Sequence, residues 1–227
     1  MKPSLLRVSI VLILLVLGLV GTGVFTSSIR SVEAAPSAKP TNSHCSCLHN
    51  ALEKKVVTAY GAWAYINWTN PNLNGGQWSY HRTGVTQSSP WRYVEFGWQK
   101  WTTNAARGLV VYNDGTGDHN VSVGSISLAT HRYSMQYNSS TGKYDFFYDG
   151  NNTYNVNAGF SKGDYVFGGG EVPTGVEQMA HTRLYDLRYL TAASGGVFQL
   201  WNGHVNQVDD PPYYNANLDG NSFYDDP

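Results

Sequence analysis

The chain contains 227 residues, of which 41% are hydrophobic and 14% are charged, and its formal net charge at pH 7 is −1. A nearly neutral chain does not favour a nucleic-acid-binding surface, which requires clustered basic residues. Two cysteines are also too few for a disulfide-stabilised scaffold. The length is sufficient for one domain that buries a sizeable core.

The N-terminal region predicts a secretory signal peptide over residues 1–34. Lys2 and Arg7 precede a nearly unbroken apolar run from Val8 to Phe25, and small residues flank Glu33 at the expected cleavage site. An uncleaved membrane anchor is the alternative, because the apolar run is long for a signal peptide. No second apolar span follows, so we expect a secreted, extracellular protein that has no contact with a membrane after cleavage.

Residues 35–59 predict a flexible N-terminal segment, because Ser, Thr, Pro and Asn dominate its first part. Residues 51–57 could form a short helix or lead into the domain. Cys45 and Cys47 are separated by one residue, a spacing too short for an unstrained disulfide in most backbones. The histidines beside them do not restore ordinary zinc-site spacing, so we predict neither a metal site nor a cofactor.

From Tyr60 onward the sequence predicts an all-β domain, residues 60–227, folded as an antiparallel β-sandwich of the jelly-roll or concanavalin-like type. The chain contains 16 tyrosines, 8 phenylalanines and 7 tryptophans, and glycine and asparagine separate its short alternating runs. The aspartate-rich C-terminal residues lack EF-hand spacing and predict a tail lying over the sandwich. Strands are predicted, in chain order, near residues 60–67, 77–82, 91–101, 107–113, 119–128, 131–137, 143–149, 153–158, 163–172, 181–190 and 197–201.

The predicted strand 91–101, WRYVEFGWQKW, carries two different faces. Because side chains alternate across a sheet, one face belongs to the core. That face carries Val94, Phe96 and Trp98. The opposite, polar and aromatic face carries Tyr93, Glu95, Gly97, Gln99 and Trp101.

The predicted strand 163–172 repeats the combination of a glutamate and a glycine on one face. Phe167, Gly169 and Glu171 share that face. Glycine inside a strand weakens it unless another group approaches the backbone closely. A glutamate beside a glycine on each of two aromatic-lined strands therefore predicts a groove in which an extended polymer lies close to the backbone.

The same residues carry a resemblance to a known family. Residues 95–99, EFGWQ, resemble the E-x-G-W-[QE] segment of neprosin-type domains, and residues 169–172, GGEV, resemble their W-G-G-E-V segment, although Gly168 stands in place of the tryptophan. The run that begins at Tyr60 is similar to the opening strand of those domains. Neprosin-type domains are antiparallel β-sandwiches related by fold to the eqolisins, and two glutamates form their catalytic pair. The resemblance therefore implies a secreted glutamic endopeptidase in which Glu95 and Glu171 are catalytic, with the proline preference of the characterised plant type.

The implied chemistry is hydrolysis of a peptide bond by an activated water molecule. Two carboxyl groups held close together cannot both ionise easily, so one keeps its proton while the other acts as a base. We therefore expect hydrolysis to be fastest at acid pH by a monomer that acts on peptides or proteins, with the order of the two roles left open. The oxyanion donor could be Gln99, Gln178 or a backbone N–H group. The predicted substrate-binding residues are Gly97, Gln99, Trp101, Gly169 and Gly170.

Three other functions use the same features. A carbohydrate- or protein-binding β-sandwich would stack its aromatic side chains on a ligand without turnover. A jelly-roll glycosidase also uses two carboxylates, but typically places both acids on one strand in a pattern such as E-x-D-x-E, which this sequence lacks. A third alternative is a relative of the peptidases that has lost activity.

Overall fold

The structure is a computed structural model, and it consists of β-strands and loops. Its described residues contain no helix, and therefore no helix that could cross a membrane. The predicted signal peptide, Gln178 and both cysteines lie outside the described residues. The described residues are 48–226 except 72, 74–76, 103–104, 174–178 and 211–212.

The described residues form fifteen strands. In chain order these are β1 (Leu48–Ala59), β2 (Gly61–Ile66), β3 (Trp78–Ser88), β4 (Trp91–Trp101), β5 (Arg107–Asn113), β6 (Asp118–Ser125), β7 (His131–Asn138), β8 (Lys143–Tyr148), β9 (Asn151–Val156), β10 (Gly163–Pro173), β11 (Thr182–Leu190), β12 (Phe198–Leu200), β13 (Val205–Asp209), β14 (Tyr214–Asp219) and β15 (Ser222–Asp226).

The strands form two antiparallel sheets. Sheet 1 has the order β13-β1-β10-β3-β4-β5-β6, and sheet 2 has the order β14-β15-β11-β2-β7-β8-β9, with β12 paired to β11. The two sheets pack face to face around a shared apolar core. This arrangement confirms the predicted all-β antiparallel sandwich.

The core lies where the alternation of β4 places it. Val94, Phe96 and Trp98 are fully buried. Phe96 of sheet 1 makes edge contacts with Tyr133 and Phe146 of sheet 2, with ring centroids 5.1 and 5.8 Å apart. Burial of one such aromatic side chain contributes about 1.5–3 kcal/mol, so this contact is a main link between the sheets.

The prediction of a flexible segment over residues 35–59 is wrong for residues 48–59, which form β1. β1 is hydrogen-bonded to β10 on one side and to β13 on the other. Ala51 and Leu52 are buried, and the buried carboxylate of Glu53 lies 3.1 Å from His204 Nδ1. The charged residues in the middle of β1 make this strand difficult to predict from the sequence. The strands that pair with it, β10 and β13, also come from distant parts of the chain.

The C-terminal region is also part of the sandwich, and the prediction of a tail lying over it is wrong. β13 extends sheet 1, whereas β14 and β15 extend sheet 2. Asp225 of β15 is fully buried and accepts a 2.7 Å hydrogen bond from His81 Nδ1 of β3. An aspartate-rich sequence is typical of a solvated tail. The strand could not be predicted from it, because the histidine that binds the buried aspartate lies 144 residues away in the chain.

Atoms of the chain itself approach the three glycines that precede Glu171. A Cβ at Gly169 would lie 2.0 Å from the carbonyl oxygen of Ala51 in β1, and Gly169 has a φ of +143°. On the core side, a Cβ at Gly168 would lie 3.0 Å from Leu184 of sheet 2. Close strand and sheet packing therefore accounts for these glycines.

We predict that Gly169→Ala lowers the free energy of unfolding by more than about 2 kcal/mol, because the methyl group adds a clash to a strained φ. Chemical denaturation measures the loss. Gly117→Ala is the matched control, because Gly117 has a similar φ of +147° but nothing within 4 Å of its would-be Cβ. Equal losses in the two variants would show that the approach of β1 contributes nothing.

Candidate active site

The register of sheet 1 places one arginine between the two predicted catalytic glutamates. Arg82 of β3 pairs with Gly97 of β4 on one side and with Gly169 of β10 on the other. Glu95 lies two residues before Gly97, and Glu171 lies two residues after Gly169. Since paired residues and residues two apart share one face of a sheet, all five project towards the outer face of sheet 1.

The Arg82 guanidinium contacts both carboxylates. Its Nε lies 3.0 Å from Glu95 Oε2, and its Nη2 lies 2.7 Å from Glu171 Oε2. Nη2 also donates a 3.2 Å hydrogen bond to Asn50 Oδ1 of β1. Arg82 is only 2% exposed, and the two glutamates are 5% and 9% exposed. The structure thus joins the two glutamates through a buried cation that the sequence analysis did not identify.

Both glutamates open into a groove on the outer face of sheet 1, with a volume of about 380 Å³. The groove crosses β10, β3, β4, β5 and β6, and the start of β1 borders it. Its apolar and aromatic lining includes Trp78, Tyr80, Tyr93, Trp101, Leu109 and Val111. Its polar lining consists of Glu95, Gln99, Arg107, Asp118, Asn120 and Glu171.

Of the five residues predicted to bind substrate, Gln99 and Trp101 line the groove, and the three glycines are not part of its lining. A Cβ at Gly97 would lie 1.8 Å from the carbonyl oxygen of His81, and one at Gly170 would lie 2.4 Å from Met179 Sδ. Contact between the glycines and a substrate stays a prediction, and the approach of the chain's own atoms gives a separate reason for their presence.

Gln99 is held in a fixed orientation at the groove. Its Oε1 accepts hydrogen bonds from Trp101 Nε1 at 2.9 Å and from Arg107 Nη2 and Nε at 2.8 and 3.2 Å. These three donors occupy the oxygen end of the amide. The NH₂ end is therefore the part of Gln99 suited to donate to a ligand in the groove.

The electrostatics of the site favour one proton on Glu95. Burial raises the pKa of the Glu95 carboxyl from 4.5 to about 7; Arg82 opposes this rise, and the negative charge of Glu171 adds to it. Burial acts to lower the pKa of Arg82, but the two glutamates outweigh burial and raise it. Arg82 consequently remains charged while Glu95 holds its proton through the acid range.

The residue missed by the sequence analysis, Arg82, lies at the end of the strand predicted over residues 77–82, whereas β3 continues to Ser88. A longer strand would have placed Tyr80, Arg82 and Gly84 on one face by simple alternation. The Arg82 guanidinium lies 5.2 Å from the centroid of the Tyr80 ring. The ring and the two carboxylates together replace the hydration of the buried cation.

The part of the chain that the structure describes contains no recognisable metal-binding site. No group of three or more His, Cys, Asp or Glu residues there is arranged to hold a metal ion.

The fold is similar to those of several solved hydrolases, at low sequence identity. Scytalido-glutamic peptidase, in complex with a peptide-based transition-state analogue, gives a TM-score of 0.48 and 9% identity over 79% of this chain and 97% of its own. SCP-B, a member of the eqolisin family of peptidases in complex with the tripeptide Ala-Ile-His, gives 0.40 and 10% over the same shares. The Bacillus licheniformis β-glucanase gives 0.41 and 13% over 55% of this chain and 59% of its own. No protein-family model and no curated protein sequence matches the chain.

We predict that Glu95→Gln stabilises the protein at about pH 8 and leaves its stability unchanged at about pH 4. A raised carboxyl pKa means that the folded state binds a proton which the unfolded state has released. Stability is therefore lost as the pH rises from 4.5 to about 7. Complete loss corresponds to about 3 kcal/mol.

Glutamine cannot ionise, so the variant keeps the stability that the protonated glutamate provides. Chemical denaturation of both proteins at the two pH values measures the difference, and the comparison at about pH 4 is the internal control. A variant that is equally stabilised or destabilised at both values would contradict a buried, proton-holding Glu95.

Proposed function

We propose that the protein is a secreted, neprosin-like glutamic endopeptidase. The observation that carries this proposal is that Glu95 and Glu171, distant in the sequence, open into one groove and contact one guanidinium. The resemblance of residues 95–99 and 169–172 to the two neprosin-type motifs supports the same function. The predicted signal peptide supports secretion.

In the proposed mechanism, Glu171 is the base and Glu95 is the acid. The Glu171 carboxylate, paired with Arg82, accepts a proton from a water molecule as that water attacks the scissile carbonyl carbon. Protonated Glu95 then donates its proton to the leaving amine nitrogen. Arg82 stays charged throughout and limits the change in local charge as the proton moves.

The fixed amide of Gln99 completes this mechanism. When water adds to the carbonyl carbon, negative charge develops on the carbonyl oxygen, and a preoriented donor stabilises it at little reorganisation cost. Gln99 lines the groove, and its amide oxygen is held by Trp101 and Arg107, which leaves the NH₂ group as the end suited to donate. Gln99 is therefore the oxyanion donor that we select among the alternatives of the sequence analysis.

The lining of the groove favours an extended peptide as the substrate. Trp78 and Trp101 lie side by side, with ring centroids 6.2 Å apart, and provide an apolar wall beside the carboxylates. The compact apolar ring of proline can pack on indole faces, which is compatible with the proline preference implied by the resemblance.

A non-catalytic carbohydrate-binding protein is the second candidate. The same apolar wall, formed by Trp78 and Trp101, is suited to stacking on sugar rings. A pull-down with insoluble polysaccharides at neutral pH separates this function from peptide hydrolysis. Retention on a polysaccharide by a protein that cleaves no peptide would favour this candidate.

We predict that the purified protein cleaves a denatured polypeptide, with a rate that falls as the pH rises through about 7. Deprotonation of Glu95, whose pKa is about 7, removes the general acid. Glu95→Gln and Glu171→Gln should each lower kcat/KM by at least about 100-fold. Cleavage can be followed by mass spectrometry of the products from about pH 3 to about pH 8.

Asp186→Asn is the matched control for these two substitutions. It makes the same change from carboxylate to amide in β11 of sheet 2, at a φ of +52° that asparagine tolerates well. The control should retain full activity. A rate independent of pH, or activity that survives in Glu95→Gln, would overturn the glutamic-peptidase mechanism.

A further inference from the structure

A hydrogen-bonded serine, histidine and aspartate lie outside the groove, in sheet 2 and in the loop that leads into it. The imidazole of His131, at the start of β7, lies between Ser127 and Asp149. Ser127 Oγ is 2.7 Å from His131 Nε2, and His131 Nδ1 is 2.6 Å from Asp149 Oδ2. The nucleophile, base and carboxylate thus use the atoms that a Ser-His-Asp hydrolase uses.

The backbone holds Asp149 firmly in this arrangement. Asp149 occupies the turn between β8 and β9 with a φ of +48°. Its Oδ1 accepts a 2.9 Å hydrogen bond from the Arg132 amide, and its own amide donates a 3.0 Å bond to the Arg132 carbonyl. Both carboxylate oxygens are therefore engaged, and Oδ2 is directed at the histidine that precedes Arg132.

His131 is fixed in orientation as well. Its ring packs against Tyr148, with centroids 4.7 Å apart, and its side chain is only 11% exposed. With Nδ1–H donated to Asp149, the lone pair of Nε2 faces the hydroxyl of Ser127. This is the tautomer in which imidazole can accept the serine proton.

A second serine, histidine and aspartate are hydrogen-bonded in the same way, but they differ from the first set in their burial. Ser79 Oγ lies 2.9 Å from His81 Nε2, and His81 Nδ1 lies 2.7 Å from Asp225 Oδ2. These three residues are fully buried, so no substrate can reach Ser79. Their bonds connect β15 to β3 and have a structural role.

Ser127, in contrast, lies in the exposed loop between β6 and β7. Residues 127–130 are exposed, and the neighbouring Leu128 is 71% exposed. An acyl compound can therefore approach Ser127 Oγ without any change in the fold, and Leu128 offers an apolar contact beside it. Such a surface suits a small ester better than a long polymer.

We propose that Ser127, His131 and Asp149 form a second nucleophilic site, which transfers acyl groups from small esters to water. Ser127 Oγ bonds to the acyl carbon as its proton passes to His131 Nε2. The acyl–alkoxy bond then breaks, and the alkoxide leaves with that proton as an alcohol. Water attacks the acyl-serine ester in the same way, which releases the carboxylic acid and restores the serine.

An alkyl fluorophosphonate tests this site directly in the full-length protein. We expect a single adduct at Ser127, located by peptide mass spectrometry, in which an Oγ–P bond replaces the P–F bond and HF is released. Denatured protein should not react.

Three variants separate a nucleophilic site from a structural one. Ser127→Ala should abolish the adduct, and Asp149→Asn should slow its formation by at least about 100-fold, because asparagine favours the wrong histidine tautomer. Ser125→Ala, an exposed serine at the end of β6, is the control and should label normally. No adduct at Ser127, or an equal labelling rate in Asp149→Asn, would overturn the proposal, whatever the result of the peptidase assay.

Discussion

The ion pairs of Arg82 with Glu95 and Glu171 are the constraint on which the outer face of sheet 1 depends. A guanidinium that is 2% exposed loses most of its hydration, at a cost of several kcal/mol that only well-placed anions and hydrogen bonds can offset. Two carboxylates and the Asn50 side chain supply these partners from β4, β10 and β1. If both glutamates were ionised, the three side chains of Arg82, Glu95 and Glu171 would together carry one excess negative charge. A proton on Glu95 removes that excess, which agrees with the raised pKa of this residue.

This arrangement also explains why glycines surround the site. The cross-strand neighbours of Arg82 on both sides are Gly97 and Gly169. Neither position can accept a side chain, because a Cβ at either would lie 2.0 Å or less from a carbonyl oxygen of the adjacent strand. The guanidinium is therefore flanked by bare backbone, and it can reach one carboxylate on each side. Close strand packing and the arginine bridge are thus two consequences of the same glycines.

The alternation of side chains along a strand correctly predicted those faces that need no specific partner residue. In β4 it assigned Val94, Phe96 and Trp98 to the core and Glu95 to the groove, because any apolar layer satisfies the first face and solvent borders the second. Alternation failed where a polar residue is buried against one specific and distant partner. Glu53 with His204, and Asp225 with His81, have charged or polar side chains that are typical of exposed segments. Each becomes compatible with a strand only when its partner is known.

Arg82 belongs to the same class, and its burial has a chemical consequence as well as a structural one. Its Nη1 has no hydrogen-bond partner among the described residues, so the protein retains an incompletely satisfied buried cation. A sheet with packed apolar side chains in place of Arg82, Glu95 and Glu171 together would be as stable or more stable, since replacement of a whole buried ion-pair group is often neutral or stabilising. Such an apolar sheet could not, however, hold two carboxyl groups at one groove. Burial holds a proton on Glu95, and loss of that proton as the pH rises through about 7 destabilises the fold. In the proposed mechanism the same proton passes to the leaving amine, so stability and catalysis both favour the protonated form of this residue.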